Sequence, residues 1–296
     1  MKIKFFIGGH RSHTEHFHSV LIENSDRLKA ENITYSTASR RTYKRLLESI
    51  NLINSGSDLA EIQSNFLEAI TRGKEPETLL IVDPKLIGAK NRQFPKAFNN
   101  RSLGKFFADL KLLFQGYDLR LYCETRSPET LIKAAYSEAI LSGNFQDFET
   151  FLSDIELNEF RWSTFIHSIQ GKDSRLPTSA WRFEDYAYIW RDIIGAFTGV
   201  SHPQDLLGKT GLESTGLGFT GARFFNKYSK EYPDHEPANL AKVRDIFLKK
   251  FPDTSDESAG GFWKPEDSEA LAYGYDDDWY YIDRMQNVEI IRPRSF

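Results

Sequence analysis

Cysteine is nearly absent from this chain: Cys123 is the one such residue in 296. A lone thiol permits no intrachain disulfide, which excludes a cystine-stapled secreted scaffold and leaves Cys123, inside an apolar run, as a small buried hydrophobe. Long hydrophobic runs are lacking too. None approaches the roughly 20 residues that a membrane-crossing helix needs. The opening run Lys2–Ile7 is too short for the apolar segment of a signal peptide. Positive charge is not in excess, since 38 Lys+Arg face 42 Asp+Glu for a net charge of −4. That balance argues against a globally basic nucleic-acid-binding domain. Internal repeats, low-complexity tracts and heptad series are missing as well. The expectation is a soluble, cytoplasmic protein with no nucleic-acid partner and no membrane span.

Aromatic residues are plentiful, with 23 Phe, 13 Tyr and 5 Trp, and 40% of the chain is apolar. A chain of this size buries roughly three quarters of its unfolded surface and needs no metal or disulfide to hold a core. Short apolar runs bounded by turn residues or charge predict strands over residues 2–7, 79–82, 119–124 and 178–183. Helical spacing predicts helices over 15–31, 40–53, 58–72, 101–115, 129–142 and 185–198. Strands alternating with helices indicate an α/β fold of three layers, a central and mainly parallel sheet flanked by helices. From about residue 200 glycine becomes frequent, residues 253–261 read as a polar loop, and helices are predicted over 221–231, 238–250 and 265–273. The division expected is an α/β domain over 1–200 and a mostly helical C-terminal extension, 201–296, packed on it.

Open parallel sheets hold ligands beyond the carboxyl ends of their strands. Residues Gly8, Gly9, Arg11, Ser12, His13 and Thr14 follow the first strand and enter the first helix. Backbone N–H groups in such a turn, with a positive helix end and a basic side chain, suit an anion. The turn is not a full Walker A sequence. Gly208-Lys209-Thr210 fails the same test, because Pro203 occupies the place of the leading glycine.

The segment 6–15 resembles the opening of the P-loop sulfotransferases, in particular their bacterial sulfotransferase-like branch. There a strand leads into Gly-x-x-Lys-Thr-Gly-Thr-Thr and a helix. Arg11 falls at the Lys position, Ser12 at the first Thr, His13 at the second Gly, Thr14 at the next Thr and Glu15 at the last. Residues 80–88, 119–136 and 181–199 resemble the family's later segments in the same order, so the likeness spans most of residues 1–200. It implies a P-loop-type fold, 3′-phosphoadenosine 5′-phosphosulfate as sulfuryl donor, and a carbohydrate or other small hydroxyl compound as acceptor. Gly8, Gly9, Arg11, Ser12, His13 and Thr14 would hold the phosphosulfate, and Arg126 would contact the 3′-phosphate. The serine expected eight residues later is Ala134. Arg11 would stabilise charge, Asp83 or His13 (with His10 as a further candidate) would act as base, and Lys85 would steady the leaving oxygen. No metal is expected.

Three departures stand out. His13 replaces a glycine, Glu15 puts a carboxylate near the donor anion, and Ala134 removes a phosphate contact. They keep a noncatalytic binding protein on the same scaffold as an alternative, beside another nucleotide-dependent transferase. Other groups read more simply. His10, His13, His16 and His18 match no metal-ligand spacing and read as an exposed polar turn, with His16 and His18 facing different ways on a helix. Arg126 is equally suited to cap a helix or pair with Glu124 or Glu129. Glu184-Asp185 reads as a helix start, Asp276-Asp277-Asp278 as an acidic surface turn, and Arg223 as a possible second anion contact. Nothing in the sequence sets the oligomeric state.

Overall fold

The structure, a computed structural model, describes residues 1–7, 13–36, 40–82, 101–153, 155, 157, 160–171, 176–208, 216–253 and 263–293. In chain order the elements are β1 (Lys2–Ile7), α1 (Thr14–Glu23), α2 (Ser25–Ala30), β2 (Ile33–Ser36), α3 (Arg40–Asn54), α4 (Leu59–Thr71), β3 (Thr78–Val82), α5 (Arg101–Leu113) and β4 (Asp118–Thr125). Next come α6 (Pro128–Leu141), α7 (Phe148–Ser153), α8 (Trp162–Gln170), β5 (Thr178–Arg182), α9 (Tyr186–Thr198), α10 (Phe219–Glu231), α11 (Pro237–Lys250), α12 (Pro265–Ile282) and β6 (Val288–Ile290). The chain divides into two compact units: Met1–Thr125, Arg161–Thr210 and Asp278–Phe296 form the first, and Arg126–Phe160 with Gly211–Asp277 the second.

The first unit carries a six-stranded sheet in the order β2-β3-β1-β4-β5-β6, and its strand pairs are all parallel. Helices cover both faces, so the central strands are apolar on both sides, as parallel sheets require. Alternate residues of β1 show the two layers. Phe5 meets Phe114, just past α5, at 5.6 Å, whereas Phe6 stacks on Phe17 of α1 at 4.4 Å and meets Phe197 of α9 at 6.4 Å. The α/β architecture with a parallel sheet is the one the alternating pattern predicts. Cys123 is fully buried in β4, as expected, and burial pushes its thiol pKa up.

Lys4 shares the face of Phe6. Its Nζ donates to the Ala196 carbonyl at 3.0 Å, and Tyr122 Oη donates to the same oxygen at 2.7 Å. Both satisfy the carbonyl end of α9, where a cation is favoured by the helix dipole.

Four differences from the predicted elements have physical causes. The helix expected over 15–31 breaks at Asn24, whose buried amide takes the Val20 carbonyl at 2.7 Å and clamps Leu207 through both its polar atoms. Strands β2 and β6 are edge strands of four and three residues, too short to show a pattern. Helix α8 lacks a capping side chain of its own, although Trp162, Phe165, Ile166 and Ile169 make a buried stripe. Lastly, Asp276-Asp277-Asp278 is not a surface turn. Helix α12 runs on to Ile282, and Asp278 is buried, accepting hydrogen bonds from the Ser163 amide at 3.1 Å and from the Ser163 hydroxyl. It thus supplies the cap that α8 lacks.

In the second unit, Tyr136 of α6 packs its ring on Phe148, Phe151 and Phe219, and α10 joins α11 through Phe225 and Phe247. Burial raises the Tyr136 pKa to about 12. Among the described residues of the whole chain, no helix is long and apolar enough to cross a membrane.

Candidate functional site

The chain leaves β1 toward β2 on one side of the sheet and leaves β3 toward β4 on the other. Adjacent strands β1 and β3 thus part in opposite directions, and the carboxyl ends beside such a switch point form a crevice. The first described residue after β1 is His13, directly before α1. Ile7, the last residue of β1, pairs with Cys123, so β4 overhangs it and places Glu124 opposite the entry to α1. On the other side Glu124 is in register with Trp181 of β5.

Three donors converge on this carboxylate. The His13 backbone N–H donates to Glu124 Oε1 at 3.1 Å, His13 Nδ1 lies 2.9 Å from Oε2, and Trp181 Nε1 donates to Oε2 at 3.0 Å. Glu124 is only 2% exposed. A buried charge is tolerated where such hydrogen bonds replace its lost water.

The His13 ring is fixed from its faces as well. It lies between Phe183 and Tyr186, with centroid distances of 4.1 and 3.9 Å and interplanar angles of 19° and 7°. These rings arrive through a single 3₁₀ turn, Phe183–Asp185, that joins β5 to α9. Asp185 precedes α9, and burial raises its pKa while Arg182 opposes the rise. Glu184-Asp185 is the helix start that the sequence suggests. Tyr186 is fully buried, and its pKa lies well above the usual phenol value because of burial and the nearby Glu124 charge. Its hydroxyl lies 2.8 Å from His16 Nδ1, and the His16 ring meets Trp190 edge-on at 5.1 Å.

The histidines described here are not an exposed polar turn. His13, His16 and His18 are all partly buried, each tied to a different element. His18 points elsewhere than His16: burial lowers its pKa, opposed by a hydrogen bond to the Val82 backbone and by the Glu15 charge. Among the described residues no group of three or more His, Cys, Asp or Glu side chains is placed to hold a metal ion.

Of the residues singled out in the sequence, Gly8, Gly9, His10, Arg11, Ser12, Asp83 and Lys85 lie outside the described residues. His13 stands at φ −71°, so the glycine position it fills imposes no left-handed backbone here. Thr14 is buried as the first residue of α1, and Glu15 is exposed in that first turn. Arg126, in the second unit, stands one residue before the Ser127 N-cap of α6 and donates from Nε to Thr130 Oγ1 at 3.0 Å. Ala134 is buried on α6. Glu124, named in the sequence only as a partner for Arg126, carries the geometry around His13 together with Trp181, Phe183 and Tyr186. The signal for Glu124 was present, an acid near the end of an otherwise apolar strand.

An ionised carboxylate only accepts hydrogen bonds, so His13 Nδ1 carries its proton toward Glu124. Nε2 then holds the lone pair of the neutral ring, and the carboxylate stabilises the imidazolium if Nε2 takes a proton. The arrangement is a buried histidine–carboxylate pair at the carboxyl edge of a parallel sheet, with the chemistry to exchange a proton at Nε2. No family model, curated protein or solved structure matches this chain.

Proposed function

We propose that the chain is a group-transfer enzyme of sulfotransferase type, with 3′-phosphoadenosine 5′-phosphosulfate as donor, a hydroxyl of a carbohydrate or small molecule as acceptor, and His13 as general base. The observation that carries this reading is the His13–Glu124 pair, which leaves Nε2 to take a proton beside the turn whose sequence resembles the family's donor loop. The acceptor oxygen attacks sulfur in line as its proton passes to Nε2. The new O–S bond forms, the bond from sulfur to the bridging phosphate oxygen breaks, and its electron pair leaves on adenosine 3′,5′-bisphosphate. Glu124 stabilises the imidazolium. Arg11 and the amides of the Gly8–Thr14 turn are assigned the phosphosulfate, and Asp83 and Lys85 roles at the acceptor and the leaving oxygen. General base catalysis contributes about 10²–10⁴-fold. The test is transfer of radiolabel from ³⁵S-labelled donor to a panel of hydroxyl acceptors. The wild type is expected to label at least one, and His13→Gln to lose about 10²-fold or more. No label on any acceptor contradicts the enzyme reading.

A second reading has its own observation. The His13 N–H, assigned to the donor by resemblance, already serves Glu124. An internal carboxylate in place of a ligand anion favours a noncatalytic binding protein on the same scaffold, which binds a partner and transfers nothing.

A further inference from the structure

We propose that Glu124 is a positioning residue for this site: it selects the tautomer of His13 and thereby decides which ring nitrogen handles the proton. This rests on the reading of His13 as the base, but its structural half is measurable without turnover. Glu124 offers two oxygens to three donors: the His13 amide, His13 Nδ1 and Trp181 Nε1. The amide contact fixes the backbone at the start of α1, the Nδ1 contact fixes the ring edge, and Phe183 and Tyr186 fix the ring plane. Trp181 holds the carboxylate itself from the neighbouring strand. Its indole N–H can only donate, so it favours an acceptor at Oε2 and leaves His13 Nδ1 protonated. Among the described residues, the groups that face the carboxylate are His13, Trp181 and the un-ionised Tyr186.

Replacing Glu124 by Gln preserves shape and inverts part of this logic. A glutamine has one acceptor oxygen and a donor NH₂. Three donors cannot all be met by one oxygen. His13 Nδ1 and Trp181 Nε1 share one oxygen. An NH₂ in that place draws the ring proton to Nε2, so that Nδ1 accepts, but sets a donor against the indole N–H. An oxygen there keeps the proton on Nδ1 and leaves the His13 amide unmet. The single tautomer is therefore lost, and in the fraction with the proton on Nε2 that nitrogen cannot take one from the acceptor.

The experiment is ¹⁵N NMR of the imidazole nitrogens in the full chain, with His13 assigned through loss of its signals in His13→Gln. It runs on the wild type and Glu124→Gln at a pH where His13 is neutral, beside ³⁵S-transfer rates. The expected result is a protonated Nδ1 and bare Nε2 in the wild type, a share of rings with the proton on Nε2 in Glu124→Gln, and a lowered rate. A wild type with the proton on Nε2 overturns the proposal and needs no variant to fold. A folded Glu124→Gln that keeps both the wild-type tautomer and the wild-type rate overturns it too. The same tautomer shift in a chain that transfers no label upholds the positioning role and defeats the transfer reading instead.

Discussion

Glu124 and His13 are 111 residues apart in the chain, yet the carboxylate of one accepts from both the backbone N–H and the ring Nδ1 of the other. The contact joins the overhang of β4 to the entry of α1 across the sheet's carboxyl edge. Removing one member of a buried, hydrogen-bonded pair costs more than the pair itself contributes, because the survivor keeps its burial. His13→Ala is accordingly expected to lower stability by about 3 kcal/mol. Urea unfolding checks this, and a loss within 0.5 kcal/mol of zero, the span of an ordinary surface substitution, contradicts it.

Lys4 makes stability depend on pH in a direction opposite to a salt-bridged lysine. Burial first, then the Arg120 and Lys2 charges, lower its pKa from 10.5 to about 8, with Asp118 opposing. Below about 8 the amine is charged in both states and the folded state bears its desolvation. Between about 8 and 10.5 the folded chain has lost the proton while the unfolded chain still binds it, so stability rises with pH. The contribution is of order 3 kcal/mol across that window. Urea melts from pH 7 to 10.5 are expected to show the wild type gaining on Lys4→Met. A constant difference between the two refutes it.

Gly195 and Gly104 call for opposite outcomes from the same substitution. A Cβ on Gly195 of α9 would lie 2.4 Å from Pro203 Cβ and 3.0 Å from its Cγ, so the helix and the turn at 203–205 must part. Gly195→Ala is expected to cost about 1–3 kcal/mol. On α5, a Cβ at Gly104 meets only the Ser168 carbonyl oxygen at 3.7 Å. There the helix gains, and Gly104→Ala is expected to stabilise by about 1 kcal/mol. Thermal melts of the two variants settle both signs.

Asp278 caps a helix more than a hundred residues before it. Asp278→Ala removes the acceptor from the Ser163 amide and hydroxyl, leaving the start of α8 with an unmet donor. A loss of about 1–2 kcal/mol is expected, with faster amide exchange in the first turn of α8. Unchanged exchange there contradicts the capping role.

Much of the sheet was readable from the sequence because β1, β3, β4 and β5 are apolar runs closed by polar or turn residues, and central strands need both faces apolar. Edge strands β2 and β6 escaped the same reading because three or four residues establish no period. The far half of α12 was hidden by its acids: Asp276-Asp277-Asp278 imitates a turn until Leu271, Tyr275, Asp278 and Ile282 are seen as a buried stripe at helical spacing. At the site, local sequence suggested a glycine-rich turn and His13, but not the partner. Pairing Glu124 with Arg126 is the near-neighbour guess. The strand overhang that turns Glu124 to His13 exists only once β1 and β4 are in register.

The functional reading meets its most direct test in calorimetry with adenosine 3′,5′-bisphosphate, the product that the donor leaves behind. The account predicts saturable heat with the wild type and weaker binding in Arg11→Ala. No heat at millimolar ligand, or full affinity in Arg11→Ala, contradicts it.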